Sequence, residues 1–393
     1  MKYLWLNFVL LLAIGPALAQ ANPEATIIAE LPIRSGSGRY SAHLSPDGKL
    51  VMGIDRDTFC LYTLVGEELW CLTVTNESNL EAEIIVDGDS VVWSPDGRYI
   101  AFSLIETGLD PDVRVIDIAE QDYRNLTDDG YGGSVVWLDK IPDGVFLDLV
   151  PAWMPDGRLT FARHTPDVGI VPSLWAVDPE GGDPEKITDF EVDEAEWNVI
   201  HSMDWSIDGS QMVYVHAINH SLIGELGVYN VAEDRFRPLA TTERLDFRYF
   251  IRADFSPDGE WILLLTSERE VSMEGRASRQ LGSGYEVFST DEGTVEHIVA
   301  PMGIQSAGWM PDNSLLFIYS NPDMRESGGL FAAESPDAAS VKLLDHPVKE
   351  DQVISYSAPT PDEYAPLMVT AGGLLLLGNP RARSTHVVQL GVE

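Results

Sequence analysis

The residue types with the greatest chemical capacity gather in the middle of the chain. An acidic stretch, Asp189-Phe-Glu191-Val-Asp193-Glu194-Ala-Glu196, runs into His201 and Asp204, and Asp254 lies some fifty residues further on. Carboxylate oxygens of this kind suit a hard cation such as calcium, though no D-x-D-x-D-G loop frames them. In an already acidic chain the plainer reading of the same stretch is a solvated acidic loop. Beside it stands a basic island of Arg244, Arg248 and Arg252, with Arg269, Arg276 and Arg279 in the next long connection. A guanidinium is a planar fork of donors, so such a group would hold a carboxylate or an acidic peptide end bidentately. Its other use is local neutralisation of Glu243, Asp246 and Glu268. The expected ligand-binding set is therefore His201, Asp204, Arg248, Arg252 and Asp254. No catalytic residue or cofactor is assigned, and a cation such as calcium is the metal this set would take.

Familiar catalytic patterns are missing. The chain has no G-x-S-x-G nucleophile elbow, no H-E-x-x-H, no P-loop and no dinucleotide fingerprint. Its eight histidines (His43, His164, His201, His216, His220, His297, His346 and His386) are scattered. His216 and His220 are four apart, but a strand followed by a loop gives them no common helical face.

What must position these residues is first a matter of composition. The 393 residues carry 63 Asp and Glu against 25 Lys and Arg, a formal net charge of −38. Phosphate binding needs a basic face, so a general nucleic-acid binder is excluded, and adsorption to anionic lipid is disfavoured. Since 45% of residues are hydrophobic and 22% charged, the chain can bury a large core. At this length that core is expected in two domains or in a repeat array.

A repeat array is what the sequence contains. Ser45-Pro46-Asp47-Gly48, Ser94-Pro95-Asp96-Gly97, Met154-Pro155-Asp156-Gly157, Ser206-Ile207-Asp208-Gly209, Ser256-Pro257-Asp258-Gly259 and Met310-Pro311-Asp312-Asn313 recur about every fifty residues, and Thr360-Pro361-Asp362 is a weaker seventh copy. Proline presets φ, aspartate caps the turn and glycine takes the positive-φ position. An aromatic (Trp93, Trp153, Trp205, Phe255 or Trp309) stands three residues before five of the aspartates, and its expected role is packing between repeats. Each turn opens a short apolar strand, such as Tyr99-Ile-Ala-Phe102, Trp261-Ile-Leu-Leu264 or, in the seventh copy, Leu367-Met-Val369. A third strand follows, and a leucine or isoleucine such as Leu126, Ile187, Leu239 or Leu343 marks a fourth. Four strands per repeat, arranged around an axis, make an all-β propeller. Seven blades are expected rather than six, because Leu374–Leu377 and Val387–Leu390 follow the seventh copy. Ile27-Ile28-Ala29-Glu30-Leu31 has the character of a spare fourth strand, expected to pair with the last blade and close the ring.

The aromatic-Ser-Pro-Asp-Gly turn with its following strand and late Leu-Thr resembles the WD40-like repeat of the TolB-like propellers, over nearly the whole chain. That resemblance implies a propeller ring, and the complete repeat array without a catalytic signature points to binding of a protein or peptide partner on its loop face. The α/β domain that precedes the TolB propeller has no counterpart before Ser45, so the Tol–Pal partnership is not carried over.

The N-terminus reads as a secretory signal: Lys2, an apolar run from Tyr3 to Ile14, the breaker Gly15-Pro16 and a small-x-small site at Ala17-Leu-Ala19. Residues 1–19 are expected to be removed, leaving one propeller domain over 20–393 with no membrane span. Cys60 and Cys71 fall opposite each other in an apparent hairpin turned at Val65-Gly66; an oxidising compartment would bridge them, and a reducing one would leave two small hydrophobes. Asn76-Glu-Ser78, Asn125-Leu-Thr127 and Asn219-His-Ser221 match the glycosylation pattern. The expected protein is a periplasmic or secreted monomer, a scaffold for a protein or peptide partner. The alternative is a propeller lyase or hydrolase acting on an acidic carbohydrate or peptide. A purely structural envelope component is the third reading.

Overall fold

The computed structural model describes residues 25–33, 40–74, 90–103, 111–131, 144–165, 172–192, 198–218, 224–241, 249–271, 277–290, 295–297, 304–319, 328–335, 338–345, 348–349, 352–353, 367–379 and 384–391. Residues 1–19, read above as a leader, lie outside them, as do Asn76, Arg248, His220 and Asn219. The chain forms a seven-bladed, WD40-like β-propeller. Six blades are antiparallel four-stranded sheets whose spatial order is their sequence order. Their first strands are Tyr40–Leu44, Val92–Trp93, Leu147–Trp153, Asn198–Trp205, Tyr249–Phe255 and Ile304–Trp309. First strands of successive blades touch one another, whereas fourth strands such as Glu68–Thr73 and Val341–Asp345 are largely exposed. The first strands therefore face the axis and the fourth strands the rim.

Second strands such as Tyr99–Ser103, Leu159–His164 and Leu315–Tyr319 are buried along their whole length. Being covered on both faces explains their unbroken apolar runs. Packing crosses from blade to blade: Met52 and Phe59 of the first meet Phe102 and Ile116 of the second, and Val215 and Leu226 of the fourth meet Phe255 and Ile262 of the fifth. The aromatics before the turns reach backwards as well. Trp153 Nε1 donates to the Val92 carbonyl at 3.1 Å, and Trp205 Nε1 donates to Thr160 Oγ1 at 2.8 Å.

The repeated turn is a small hydrogen-bonded unit. Ser45, Ser94, Ser206 and Ser256 each donate Oγ–H to Oδ1 of the aspartate two residues on, at 2.6 to 2.8 Å. That same oxygen accepts the next but one backbone N–H, from Lys49, Arg98, Ser210 or Glu260. These bonds hold the Asp47, Asp96 and Asp208 carboxyls below the usual range, led by the contacts from Lys49, Ser94 and Ser210 respectively. The last turn position lies at positive φ in the first six copies, and in the sixth Asn313 occupies it at 67°.

The seventh turn is not where its sequence copy stands. Thr360-Pro361-Asp362 lies outside the described residues, and Thr370-Ala-Gly-Gly373 performs the turn. Gly373 N–H donates to the Thr370 carbonyl at 2.8 Å, and Leu374 N–H donates to Thr370 Oγ1 at 3.1 Å. Leu367–Val369, expected as a second strand, is instead the segment on the axial side, with Leu367 N–H bonded to the Ala307 carbonyl of the sixth blade at 2.7 Å. A Cβ on Gly308 would collide with the Leu367 carbonyl, so that approach requires glycine. The second and third strands of this blade are Leu374–Asn379 and Ser384–Leu390.

Its outermost strand comes from the other end of the chain. Ala25–Leu31 pairs antiparallel with Ser384–Leu390, from Ala25 opposite Leu390 to Leu31 opposite Thr385, with a bulge at Ile28. Leu31 is fully buried with Ala42, Val51 and Val387, tying the seventh blade to the first. In the first blade Cys60 stands opposite Cys71 and the sulfurs are joined. The hairpin ladder already closes that short loop, so the bond adds little to the chain's restriction.

Deleting residues 20–34 is expected to lower the melting temperature substantially, read by thermal denaturation. Leu31→Ala should cost about 2–5 kcal/mol through the cavity it leaves. Ile28→Ala, at a position 49% exposed, should stay within about 0.5 kcal/mol. An unchanged melting point in the deletion would mean that the ring closes without this strand.

Candidate functional site

Counting back from each turn shows what reaches the axis. Two residues before the turn's first position stand His43, Val92, Ala152, Asp204, Asp254, Gly308 and, before Thr370, Met368. Four before stand Ser41, Ser90, Val150, Ser202, Arg252 and Ser306. In a strand these alternate residues share one face, so they form two stacked tiers around the axis. Most positions are small or apolar. The charge is concentrated on two adjacent blades.

There the Arg252 guanidinium grips Asp254, with Nε 3.1 Å and Nη2 3.0 Å from Oδ1 and Nε 3.3 Å from Oδ2. Both side chains remain about one-fifth exposed. Asp204, from the preceding blade, accepts the Phe255 N–H on Oδ2 at 2.9 Å, and Ala253 N–H donates to Ser202 Oγ at 3.2 Å. Side chains of the fourth blade thus satisfy backbone donors on the inner edge of the fifth, which would otherwise be an open strand edge. Burial, and then the Asp254 charge, push the Asp204 carboxyl up to about 7. His43, on the first blade, completes the group. Its Nε2 lies 3.1 Å from Ser41 Oγ, and burial, followed by the Arg252 charge, lowers its pKa to about 3. The first and fifth blades are not neighbours, so this influence acts across the axis.

The structure therefore brings Asp204, Arg252 and Asp254 together, adds His43, and leaves His201 apart. His201 is exposed on the extra residue of a bulge between Ile200 and Ser202. His43 was open to detection, since it holds the same place before its turn as Asp204 and Asp254. Arg269 and Arg279 were expected on a long loop over 267–285. That segment is instead a hairpin, in which Trp261–Val271 pairs with Ala277–Ser289 as far as Val271 opposite Ala277. Its polar sequence lacks the apolar alternation that announces a strand. Among the described residues, the acidic stretch contributes Asp189, ion-paired with Lys186 at 2.6 Å. A group of three potential metal ligands occurs at Cys60, Glu68 and Cys71, but both of those sulfurs are consumed in the disulfide.

Two polar seams flank the third blade. Towards the second blade, Arg163 Nε and Nη2 fork onto Asp148 Oδ1 and Oδ2 at 2.8 and 2.7 Å, while the guanidinium lies 4.5 Å from the ring centres of both Phe146 and Trp175. Burial raises the Asp148 carboxyl to about 6 against the pull of Arg163. Asp112 beside it takes the Asn125 amide at 2.6 Å, so the side chain of that glycosylation sequence is already engaged. Towards the fourth blade, His164 Nε2 accepts the Ile200 N–H at 3.3 Å and Nδ1 lies 3.4 Å from the Leu147 carbonyl. His216 Nε2 lies 2.7 Å from Asn198 Oδ1.

No family model matches the sequence, and no curated protein does. Among solved structures, the chain is similar to the hydrazine synthase of Kuenenia stuttgartiensis, with 12% identity and a TM-score of 0.55 over 91% of this chain and 96% of that one. It is also similar to an oligogalacturonate lyase in complex with manganese, with 13% identity and a TM-score of 0.53 over 91% and 89%. A putative TolB from Agrobacterium tumefaciens is 18% identical over 66% of this chain and 79% of that one, with a TM-score of 0.44. At these identities the likeness is one of fold.

Arg163→Ala would strand a buried carboxylate and is expected to cost about 3–5 kcal/mol in chemical denaturation. The double variant Asp148→Leu with Arg163→Met should lose much less than the single one. Equal losses would show that Asp148 does not depend on its partner.

Proposed function

We propose that this is an exported binding scaffold that takes a protein or peptide segment into its axial opening, anchored by Asp204, Arg252 and Asp254. The observation that supports it is the concentration of part-exposed charge at one sector of an axial tier whose other positions are mostly small or apolar. Arg252 does not wait as a bare cation, because Asp254 already occupies its fork. A partner group must exchange into that pair, which favours a side chain or chain end able to donate and accept hydrogen bonds. Loops at the other end of those strands, opposite the Pro-Asp-Gly turns, supply further surface for such recognition.

The second reading, a propeller enzyme acting on an acidic carbohydrate, is favoured by one feature. The Asp204 carboxyl, at about 7, has the proton affinity that acid–base chemistry requires. One of the similar folds is an oligogalacturonate lyase, which identifies a substrate to try.

Chemical cross-linking of the intact protein to exported proteins of its own cell, quantified against variants, tests the scaffold. Arg252→Ala and Asp204→Asn should each reduce retention of a specific partner about tenfold or more, at unchanged melting temperature. Unaffected retention would remove this sector from the binding site. Depolymerisation of oligogalacturonate, with or without added manganese, that is abolished by Asp204→Asn would replace the scaffold with the enzyme.

A further inference from the structure

The histidine seam between the third and fourth blades is unused by the binding reading. His164 ends the second strand of blade three, opposite Leu147 in the ladder. Its Nε2 receives the Ile200 N–H of the fourth blade's first strand. A nitrogen that accepts a hydrogen bond carries a lone pair, so the ring proton resides on Nδ1, facing the Leu147 carbonyl. Protonation at Nε2 would set two N–H groups against each other. The bond across the seam cannot survive it.

Among the described residues, the backbone at Leu147 and Ala162 favours that charge, but burial outweighs it. The ionic groups acting most strongly on His164 are His201, from the bulge, and His216, from the second strand of the fourth blade. Asp148 and Arg163 are one residue away on the same two strands, but pair with each other on the side facing the second blade. Glu225 stands in register beside His216, yet its carboxyl takes the Tyr214 hydroxyl at 3.1 Å. His164 and His216 are both buried.

We propose that this seam is an acid-operated latch, in which protonation of His164 and His216 breaks the His164–Ile200 bond and frees the end of the strand that carries His201. As regulation it rests on the binding reading above, since that strand also carries Asp204; the latch itself involves no partner. Burial, with the neighbouring histidines, lowers both imidazoles to about 4 from an ordinary 6.5. The closed seam therefore holds neutral rings, and the opened seam binds protons below pH 6.5. Its stability is complete above 6.5 and declines as pH falls towards 4.

Hydrogen exchange at the Ile200 amide of the intact protein, from pH 7 to 4.5 and corrected for intrinsic rates, reads this without any ligand. Protection should fall at least tenfold per pH unit below about 6.5. In His164→Gln, whose amide oxygen accepts the same bond without titrating, the dependence should be lost or strongly reduced. Unchanged protection in the natural protein, or an equal fall in His164→Gln, overturns the proposal. If that variant does not fold, nitrogen chemical shifts of His164 decide. An unprotonated Nε2 at neutral pH that titrates with the loss of protection supports the latch, and a proton on Nε2 at pH 7 overturns it.

Discussion

A ring of blades has no beginning in space, but a chain has one in sequence, and the ladder between Ala25–Leu31 and Ser384–Leu390 reconciles the two. Without it the seventh blade would present the edge of Ser384–Leu390 to solvent, and an open edge invites pairing with other chains. The cost is entropic, since the two partners lie at opposite ends of the chain, but loop-closure entropy rises only slowly with length. Each blade forms from local hairpins, whereas the geometry of the axial tiers depends on this one long-range ladder. Leu31 shows how the constraint is transmitted: the strand that completes the seventh blade also fills the space against Ala42 and Val51 of the first.

The fold could be read from residues whose roles are local. The Ser-x-Asp-Gly turns work through hydrogen bonds spanning five residues, so each copy announces itself. The seventh copy misleads because the bond pattern, rather than the letters, defines the turn. Thr370 supplies the hydroxyl and Gly373 the positive φ without proline or aspartate, while Thr360-Pro361-Asp362 has the letters. Leu239, Ile187 and Leu343 marked the fourth strands, and the structure gives a reason: each is skipped by the ladder as the extra residue of an outer-strand bulge. Of the axial group, Asp204, Arg252 and Asp254 were visible because neighbouring repeats place them at matching offsets. His43 acts across the ring, and only an alignment of all the turns exposes it. His164 was invisible for a different reason, since its partner is a backbone amide that any residue could have provided.

The seams between blades are not equivalent. The contacts joining the fourth blade to the fifth are built from Val213, Leu264 and Phe288 and their neighbours, and dispersion and burial hold such surfaces regardless of pH. The third blade also has an apolar centre on both sides, but its loop-face end carries a fork-paired arginine on one side and neutral histidines on the other. Polar groups in such a setting are strong only while every donor and acceptor is matched. This blade can therefore respond to conditions that leave the others unchanged.

Bulges explain why one strand can serve both the seam and the axis. In the fourth, fifth and sixth blades the first strand carries one extra residue five positions before the turn, at His201, Ile251 and Gln305. A perfect strand would keep a single face towards the axis from end to end, and a one-residue slip reverses it. The extra residue makes that reversal within the strand. Ser202 and Asp204 then face the next blade and the axis, while Ile200, on the far side of the bulge, packs inward and offers its N–H to His164. The third blade makes its adjustment at Val150-Pro151, with Val150 held at a φ of 56°, a conformation that costs a β-branched residue of order 1–3 kcal/mol. Irregularity in the innermost strands is thus what places the axial charges and the neutral seam a few residues apart on one element, so that a change at the seam reaches the strand on which the candidate site is built.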